Sequence, residues 1–215
     1  MRLISVQVGR PRTVGTAGAT DPMQRRFRSA IWKEPATGPV AVGTLGLAGD
    51  AVANTRVHGG PDQAVLMYAG SHYPLWEAEW GRDGLRPGAF GENLTVAGLT
   101  ETEVCIGDVL EIGGATFQVS QPRQPCATLA RRHQVPDMVA LVQANGRSGW
   151  YLRVLSEGTV EAGQRIRLAS RPNPGWSVRR AAQARLRRRE DPEAARALGR
   201  CDGLSSGWRE RIAAL

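Results

Sequence analysis

Val109-Leu110-Glu111-Ile112, Gly113-Gly114, Ala115-Thr116-Phe117-Gln118-Val119 and, after Ser120, Gln121-Pro122-Arg123-Gln124-Pro125-Cys126 form one uninterrupted run. Two apolar-alternating segments flank a glycine pair, which supplies the positive φ values that a two-residue type I′ hairpin turn demands. The second segment leads directly into a proline-bracketed stretch. Pro125 suits a helix entrance, where its missing N–H is not needed, so a short helix is expected from Cys126 through Arg132. Cys126 then lies at the helix N-terminus.

Outward from this hairpin the chain keeps the same character. Short β-branched runs such as Val40-Ala41-Val42-Gly43 and Ala64-Val65-Leu66-Met67-Tyr68 alternate with glycine turns up to about residue 170, at the spacing of a barrel or sandwich. Ser29-Ala30-Ile31-Trp32-Lys33-Glu34 reads as one strand, with Ser29, Ile31 and Lys33 on one face and Ala30, Trp32 and Glu34 on the other. A short helix fits Ser71 to Trp80 with Ser71 as N-cap. Arg171-Pro172-Asn173-Pro174-Gly175 reads as a linker, since two prolines and a glycine in five residues resist helix and sheet. Beyond it, helices are expected over Trp176–Leu186, from Asp191-Pro192 to Gly199, and from Ser205 through Ile212. The division is a mainly β domain over residues 1–170 and a three-helix appendage over 171–215.

The chain has 215 residues, 41% of them hydrophobic, enough for one well-formed core plus a small addition. Cys105, Cys126 and Cys201 are odd in number and widely spaced, which argues against a disulfide framework or a zinc knuckle. The amino-terminal residues form a polar-interrupted strand pattern rather than a signal peptide, and no run approaches the roughly 18 apolar residues of a membrane span. A cytoplasmic protein is expected. The net charge of +8 is concentrated in the arginines from Arg179 onward. Walker, dinucleotide-binding, His-Glu-x-x-His and Gly-x-Ser-x-Gly motifs are absent, excluding the commonest nucleotide and hydrolase chemistries.

Four segments carry polar chemistry. A thiolate at Cys126 would be stabilised by Arg123 and by the helix N-terminus, and could bind a soft metal; on its own, a free cysteine is as readily a small buried hydrophobe. Arg56-Val57-His58-Gly59-Gly60-Pro61-Asp62 offers backbone N–H groups for an anion-binding nest, or a plain hairpin turn with a solvent-facing imidazole. Phe90-Gly91-Glu92-Asn93 presents a carboxylate and an amide that could hydrogen-bond a heterocycle, or an ordinary loop. Lys33 could reach a phosphate, or keep an edge strand soluble.

Taken in order, Gly46-Leu47-Ala48-Gly49-Asp50, Val57-His58-Gly59-Gly60, Phe90-Gly91-Glu92-Asn93-Leu94, Ile106-Gly107-Asp108, Gln121-Pro122-Arg123-Gln124-Pro125-Cys126 and Gly149-Trp150-Tyr151-Leu152-Arg153 resemble the MOSC family. The tail resembles that of its YiiM-type bacterial branch. The resemblance implies a MOSC-type β-barrel holding a molybdenum cofactor, with Cys126 as protein ligand to the metal. It implies a basic groove for the pterin and its phosphate, with Ser29, Lys33, Arg56, His58, Gly59, Gly60, Asn93, Arg123 and Gln124 as candidates. It further implies reduction of N-hydroxylated compounds such as 6-hydroxylaminopurine. Proton supply to that reaction falls to His58, oriented by Glu34 or Asp62. Electrons would come from a separate, acidic flavoprotein docking on the arginines.

Other readings remain at this point. Cys126 could carry sulfur as a persulfide, and an inherited family link to pyridoxal phosphate would have to use Lys33, the only lysine. The arginine-rich tail could contact nucleic acid, although it lacks interleaved aromatics and a recognition signature. The segment Thr16–Phe27 is longer than the family resemblance requires, and is expected to reshape access to the site.

Overall fold

The computed structural model describes residues 1–214. Its strands are β1 Arg2–Val8, β2 Arg12–Val14, β3 Phe27–Ser29, β4 Glu34–Pro35, β5 Val40–Gly43, β6 Gly46–Leu47, β7 Val65–Ala69, β8 Leu94–Ala97, β9 Val109–Ile112, β10 Ala115–Pro122, β11 Trp150–Ser156, β12 Gly158–Val160 and β13 Ile166–Ser170. Its helices are α1 Tyr73–Trp80, α2 Ala127–His133, α3 Met138–Asn145, α4 Val178–Leu186, α5 Pro192–Gly199 and α6 Ser206–Ala213.

The β9–β10 hairpin forms where the sequence places it, with Ile112 paired to Ala115 and Leu110 to Phe117. Period-two alternation puts Ala115, Phe117 and Val119 in the core and leaves Thr116 and Gln118 half-buried. The turn differs from expectation. Only Gly113, at φ +57°, takes a positive φ, which matches a type II′ turn with its glycine at the first central position.

The eight-stranded sheet runs β13-β9-β10-β11-β7-β8-β1-β4 and is antiparallel except for β7 against β8. That parallel pair needs a crossover, supplied by α1. β7 is buried throughout, as a strand covered on both faces must be. The sheet then closes on itself: Leu3 donates to Gln164 O (2.9 Å), Gly163 to Leu3 O (2.8 Å) and Ile166 to Met1 O (3.1 Å). These bonds join β1 to the segment entering β13, satisfying a sheet edge and completing a barrel-like wall.

Two expected elements are revised. Residues 29–34 are not one strand: the Ser29 hydroxyl accepts the Ile31 N–H at 3.1 Å, a local turn that competes with the ladder. The helix expected from Ser71 begins as a 3₁₀ turn over Gly70–His72, and α1 has no side-chain N-cap. The sequence reading passed over α3, although Met138 and Val142, one turn apart, are both buried.

The last two terminal helices begin at their expected caps, Asp191 and Ser205, and the first begins at Ser177, one residue inside the expected start at Trp176. Each of the three accepts a backbone N–H from the first turn. They share an apolar core with the barrel: Val178, Ala181, Leu198, Trp208 and Ile212 belong to the same buried cluster as Phe117 and Val119. The preceding linker is clamped rather than free. Arg171 forms two bonds to the buried Asp108 carboxylate (2.7 and 2.9 Å), and Asn173 donates to Ile106 O and Asp202 O.

A second cluster, built on Tyr68, Trp76, Phe90 and Leu129, packs beneath α1–α3. At its margin the His133 imidazole donates from Nε2 to Ala89 O (2.9 Å) and accepts at Nδ1 from Arg82. Burial, then Arg132, pushes its pKa from 6.5 to about 4. Above pH 6.5 the ring is neutral in folded and unfolded chains alike and contributes no pH dependence. Between 6.5 and 4 only the unfolded chain takes up the proton, so stability is lost as pH falls, by about 3 kcal/mol in all. Urea unfolding at pH 7 and pH 4.5 is therefore expected to show a larger acid loss in the wild type than in His133→Gln; equal losses would contradict this assignment.

Candidate active site

A cavity of about 390 Å³ opens at one end of the barrel. Five chain segments bring residues to it. Phe27 and Ser29 come from the β2–β3 hairpin, and Ile31 and Lys33 from the irregular segment that follows. Asp50, His58 and Gly59 come from the loop between β6 and β7. Phe90 and Asn93 precede β8, and Arg123, Cys126, Arg131 and Tyr151 come from the ends of β10 and α2 and from β11.

The handover from β10 to α2 positions the thiol. Arg123 N donates to Gly149 O at 3.0 Å, extending the ladder past Pro122. Cys126 is then the N-cap of α2, with an extended φ of −133° and no side-chain capping bond. It is half-buried, whereas Cys105 and Cys201 are buried. Arg123 is 6% exposed; one guanidinium nitrogen donates to Phe90 O at 3.4 Å, and the other, Nη1, is buried without a partner.

Lys33 is buried and ion-paired with Asp50, whose carboxylate also accepts from Gly9 N (2.8 Å) and Asn93 Nδ2 (2.8 Å). Burial lowers the lysine's pKa and Asp50 opposes that shift. His58 is half-buried, and burial, then Arg123, lowers its pKa, so the ring is neutral at pH 7. Burial raises the Tyr151 phenol and keeps it protonated. The cavity therefore combines four cationic side chains, Arg28, Lys33, Arg123 and Arg131, with the Asp50 carboxylate, a neutral imidazole, a phenol and one thiol.

Ser29, Lys33, His58, Gly59, Asn93, Arg123 and Cys126 are thus brought together. Five other candidates are not. Glu34 is exposed on the edge strand β4, because the broken strand turns it away from the cavity. Asp62 does not orient His58: its carboxylate accepts from Arg153 Nε (2.8 Å) and from Ser206 N (2.8 Å), tying the barrel to α6. Arg56 and Gln124 are exposed and outside the cavity wall. Gly60 has φ +80° but borders a different cavity beside Asp62 and Ser206.

The Glu92 and Asn93 groups offered to a heterocycle are engaged within the protein. Glu92 accepts from Gly88 N (2.6 Å), Phe90 N (2.9 Å) and Tyr73. Asn93 accepts from Leu66 N (3.0 Å) while donating to Asp50. Asp50 and Tyr151 are among the cavity residues to which the sequence assigns no role. Each lies inside a quoted motif, and Tyr151 pairs directly with Gln121 across β10 and β11. The extended segment before Ser29 folds as the β2–β3 hairpin. Its Phe27 borders the cavity, and the Arg131 guanidinium lies 5.1 Å from the Phe27 ring centre.

These features define a class: a curled, barrel-like sheet with a basic, thiol-bearing cavity and an appended trio of helices. The chain belongs to the MOSC domain family, whose model matches residues 54–167, and residues 176–213 match the YiiM-like, 3-alpha helix domain. It is 42% identical over 207 residues to the uncharacterized protein YflK of Bacillus subtilis, covering 96% of this chain and 90% of that one. It is 38% identical over 183 residues to YiiM of Escherichia coli, covering 84% and 81%. A protein of Gibberella moniliformis named reductase is 37% identical over 179 residues, which span 82% of this chain and 30% of that protein. The crystal structure of YiiM from Geobacillus stearothermophilus superposes with a TM-score of 0.82 at 36% identity, covering 99% of this chain and 97% of that one. Among the described residues no helix is long and apolar enough to cross a membrane.

Proposed function

We propose that this protein is a molybdenum-cofactor-dependent reductase that converts N-hydroxylated compounds, 6-hydroxylaminopurine among them, to the amine. The observation that carries this reading is the half-buried thiol of Cys126 in one cavity with the unpartnered Nη1 of the buried Arg123.

The donor set fits such a group. An anionic pterin phosphate suits the guanidinium of Arg123, whose orphaned donor would gain an acceptor. Gly59, at φ +78°, turns the backbone at the cavity wall without a side chain to obstruct a ligand. The volume of about 390 Å³ lies within the roughly 300–1,000 Å³ of small-molecule sites. Among the described residues no group of three or more His, Cys, Asp or Glu could hold a metal by itself. A metal at Cys126 would need most of its ligands from a non-protein partner, as a pterin dithiolate provides, and thiolate suits a soft, redox-active centre.

When bound, the group supplies a two-electron couple. The net change is cleavage of the N–O bond of R–NHOH, with two electrons and two protons yielding R–NH₂ and water. Cys126 would hold the metal, and Arg123 would hold the anionic part of the cofactor. His58 relays a proton to the leaving hydroxyl oxygen, and its lowered pKa makes the imidazolium a stronger acid than an unperturbed one. The electrons come from a separate flavoprotein, whose acidic surface would meet the arginines of the tail.

The test is to make the protein in cells that synthesise molybdenum cofactor, assay metal and pterin, and follow 6-hydroxylaminopurine reduction in wild type and His58→Gln. Near-stoichiometric molybdenum and pterin with turnover are expected, with turnover reduced by about 10²-fold in the variant. Absence of both cofactor components, with a persulfide on Cys126, would instead favour a sulfur carrier.

A further inference from the structure

Arg123 belongs to the walls of two cavities. Besides the one that contains Cys126, it borders a smaller cleft of about 100 Å³ between the Pro122–Pro125 segment, α3, α4 and α6. The charged side chains of this cleft are Arg123, Arg179, Arg185 and Arg188, and no carboxylate lines it. Two of its side chains, besides the Arg123 whose Nη1 is assigned to the cavity of Cys126, bury a hydrogen-bond donor that has no partner: Nε of Arg185 and Nε1 of Trp208. The Arg185 guanidinium also lies 4.8 Å from the Trp208 ring centre.

This arrangement is unfavourable as it stands. Like charges repel, and buried donors without acceptors lose their hydration with nothing in exchange. Burial, then Arg211 and Arg188, lowers the pKa of Arg185. Relief from within the chain is lacking: among the described residues, none of the ten arginines from Arg179 to Arg211 forms an ion pair. What the cleft lacks is acceptor oxygens and negative charge together. A planar guanidinium meets both needs best with a phosphate-type oxyanion.

We propose that the cleft bounded by Arg123, Arg185, Arg188 and Trp208 is a second ligand site, which binds a small oxyanion, either inorganic phosphate or the phosphate group of a small ester. Its free volume is below the roughly 300–1,000 Å³ of sites for larger organic ligands, which fits a free anion or one anionic end group. Val142 and Leu186 provide apolar wall for the carbon of an ester. Because Arg123 is shared, an anion here also alters the positive charge presented to the cavity of Cys126 and His58. The site rests on Arg185, Arg188 and Trp208, none of which borders the cavity of Cys126, and does not require that the molybdenum reading be correct.

Calorimetric titration of the full chain with inorganic phosphate, against chloride at matched ionic strength, tests this. One saturable site is expected, weakened tenfold or more in Arg185→Gln and in Arg188→Gln, and unchanged in His58→Gln. Glycerol 3-phosphate distinguishes the two sources: tighter binding than inorganic phosphate marks an ester as the ligand, and weaker binding marks the free anion. Arg188 is only partly buried, so its variant carries the test if Arg185→Gln fails to fold. Absence of saturable binding over chloride would overturn the proposal. So would binding that survives both arginine substitutions but is lost in His58→Gln, which would place the anion in the other cavity.

Discussion

Cys126→Ser is expected to reduce turnover on the order of a thousandfold, about 4 kcal/mol of transition-state stabilisation, while leaving the fold intact. The argument has two halves. Serine removes the soft donor on which the proposed metal depends, and a hydroxyl is a poor replacement for thiolate at a redox-active centre. The same substitution is benign for the backbone. Cys126 is the N-cap of α2 with extended φ and makes no capping bond through its sulfur, whereas serine is among the preferred N-cap residues. The variant should therefore match or slightly exceed the wild type in thermal stability. Cys105→Ala and Cys201→Ala provide the contrast, since both sulfurs are buried away from the cavity. Those changes should cost stability through lost packing and leave turnover near the wild-type value. Metal content, turnover and thermal midpoint measured on the three variants decide the matter. Cys126→Ser protein with full metal and full activity would remove this thiol from the mechanism.

The legible parts of this molecule are those set by local rules. The β9–β10 hairpin, the Asp191 and Ser205 caps and the placement of Cys126 at the start of α2 each depend on a few adjacent residues. What was misread depends on partners far along the chain. Asp62 stands four residues after His58, and spacing alone suggested that it serves that ring. Its partners are instead Arg153 and Ser206, 91 and 144 residues away. The same holds for Lys33, whose alternation with Ser29 suggested a strand. A turn at Ser29 and an ion pair with Asp50 place the lysine in the interior. The unpartnered arginines of the second cleft were visible in the sequence only as charge, because being unpaired is a property of the packed chain.

Glu92→Ala is expected to be the most destabilising single change in the turn before β8, costing about 3–5 kcal/mol, and to impair the cavity as well. Glu92 is fully buried. Its carboxylate accepts from Gly88 N, Phe90 N, the Tyr73 hydroxyl and Thr95 Oγ1 (3.1 Å). Alanine leaves two main-chain N–H groups without a partner in a site from which water is excluded, and such groups cost about 1–3 kcal/mol each. For a chain of this size the loss corresponds to a midpoint lower by roughly 10 °C or more. The damage should reach the cavity because the turn that Glu92 brackets supplies two carbonyl groups that hold arginines: Phe90 O accepts from Arg123, and Gly88 O accepts from Arg132 at 2.7 Å. Glu92→Gln keeps the size and one acceptor oxygen but introduces an NH₂ that faces donors, so a smaller loss in the same direction is expected. Thermal unfolding with cofactor content as a second readout separates this from a role in ligand contact. A Glu92→Ala protein that unfolds at the wild-type temperature yet fails to retain cofactor would show that the carboxylate touches the ligand directly; a lowered midpoint with cofactor loss in proportion supports its assignment as the bracket of the turn.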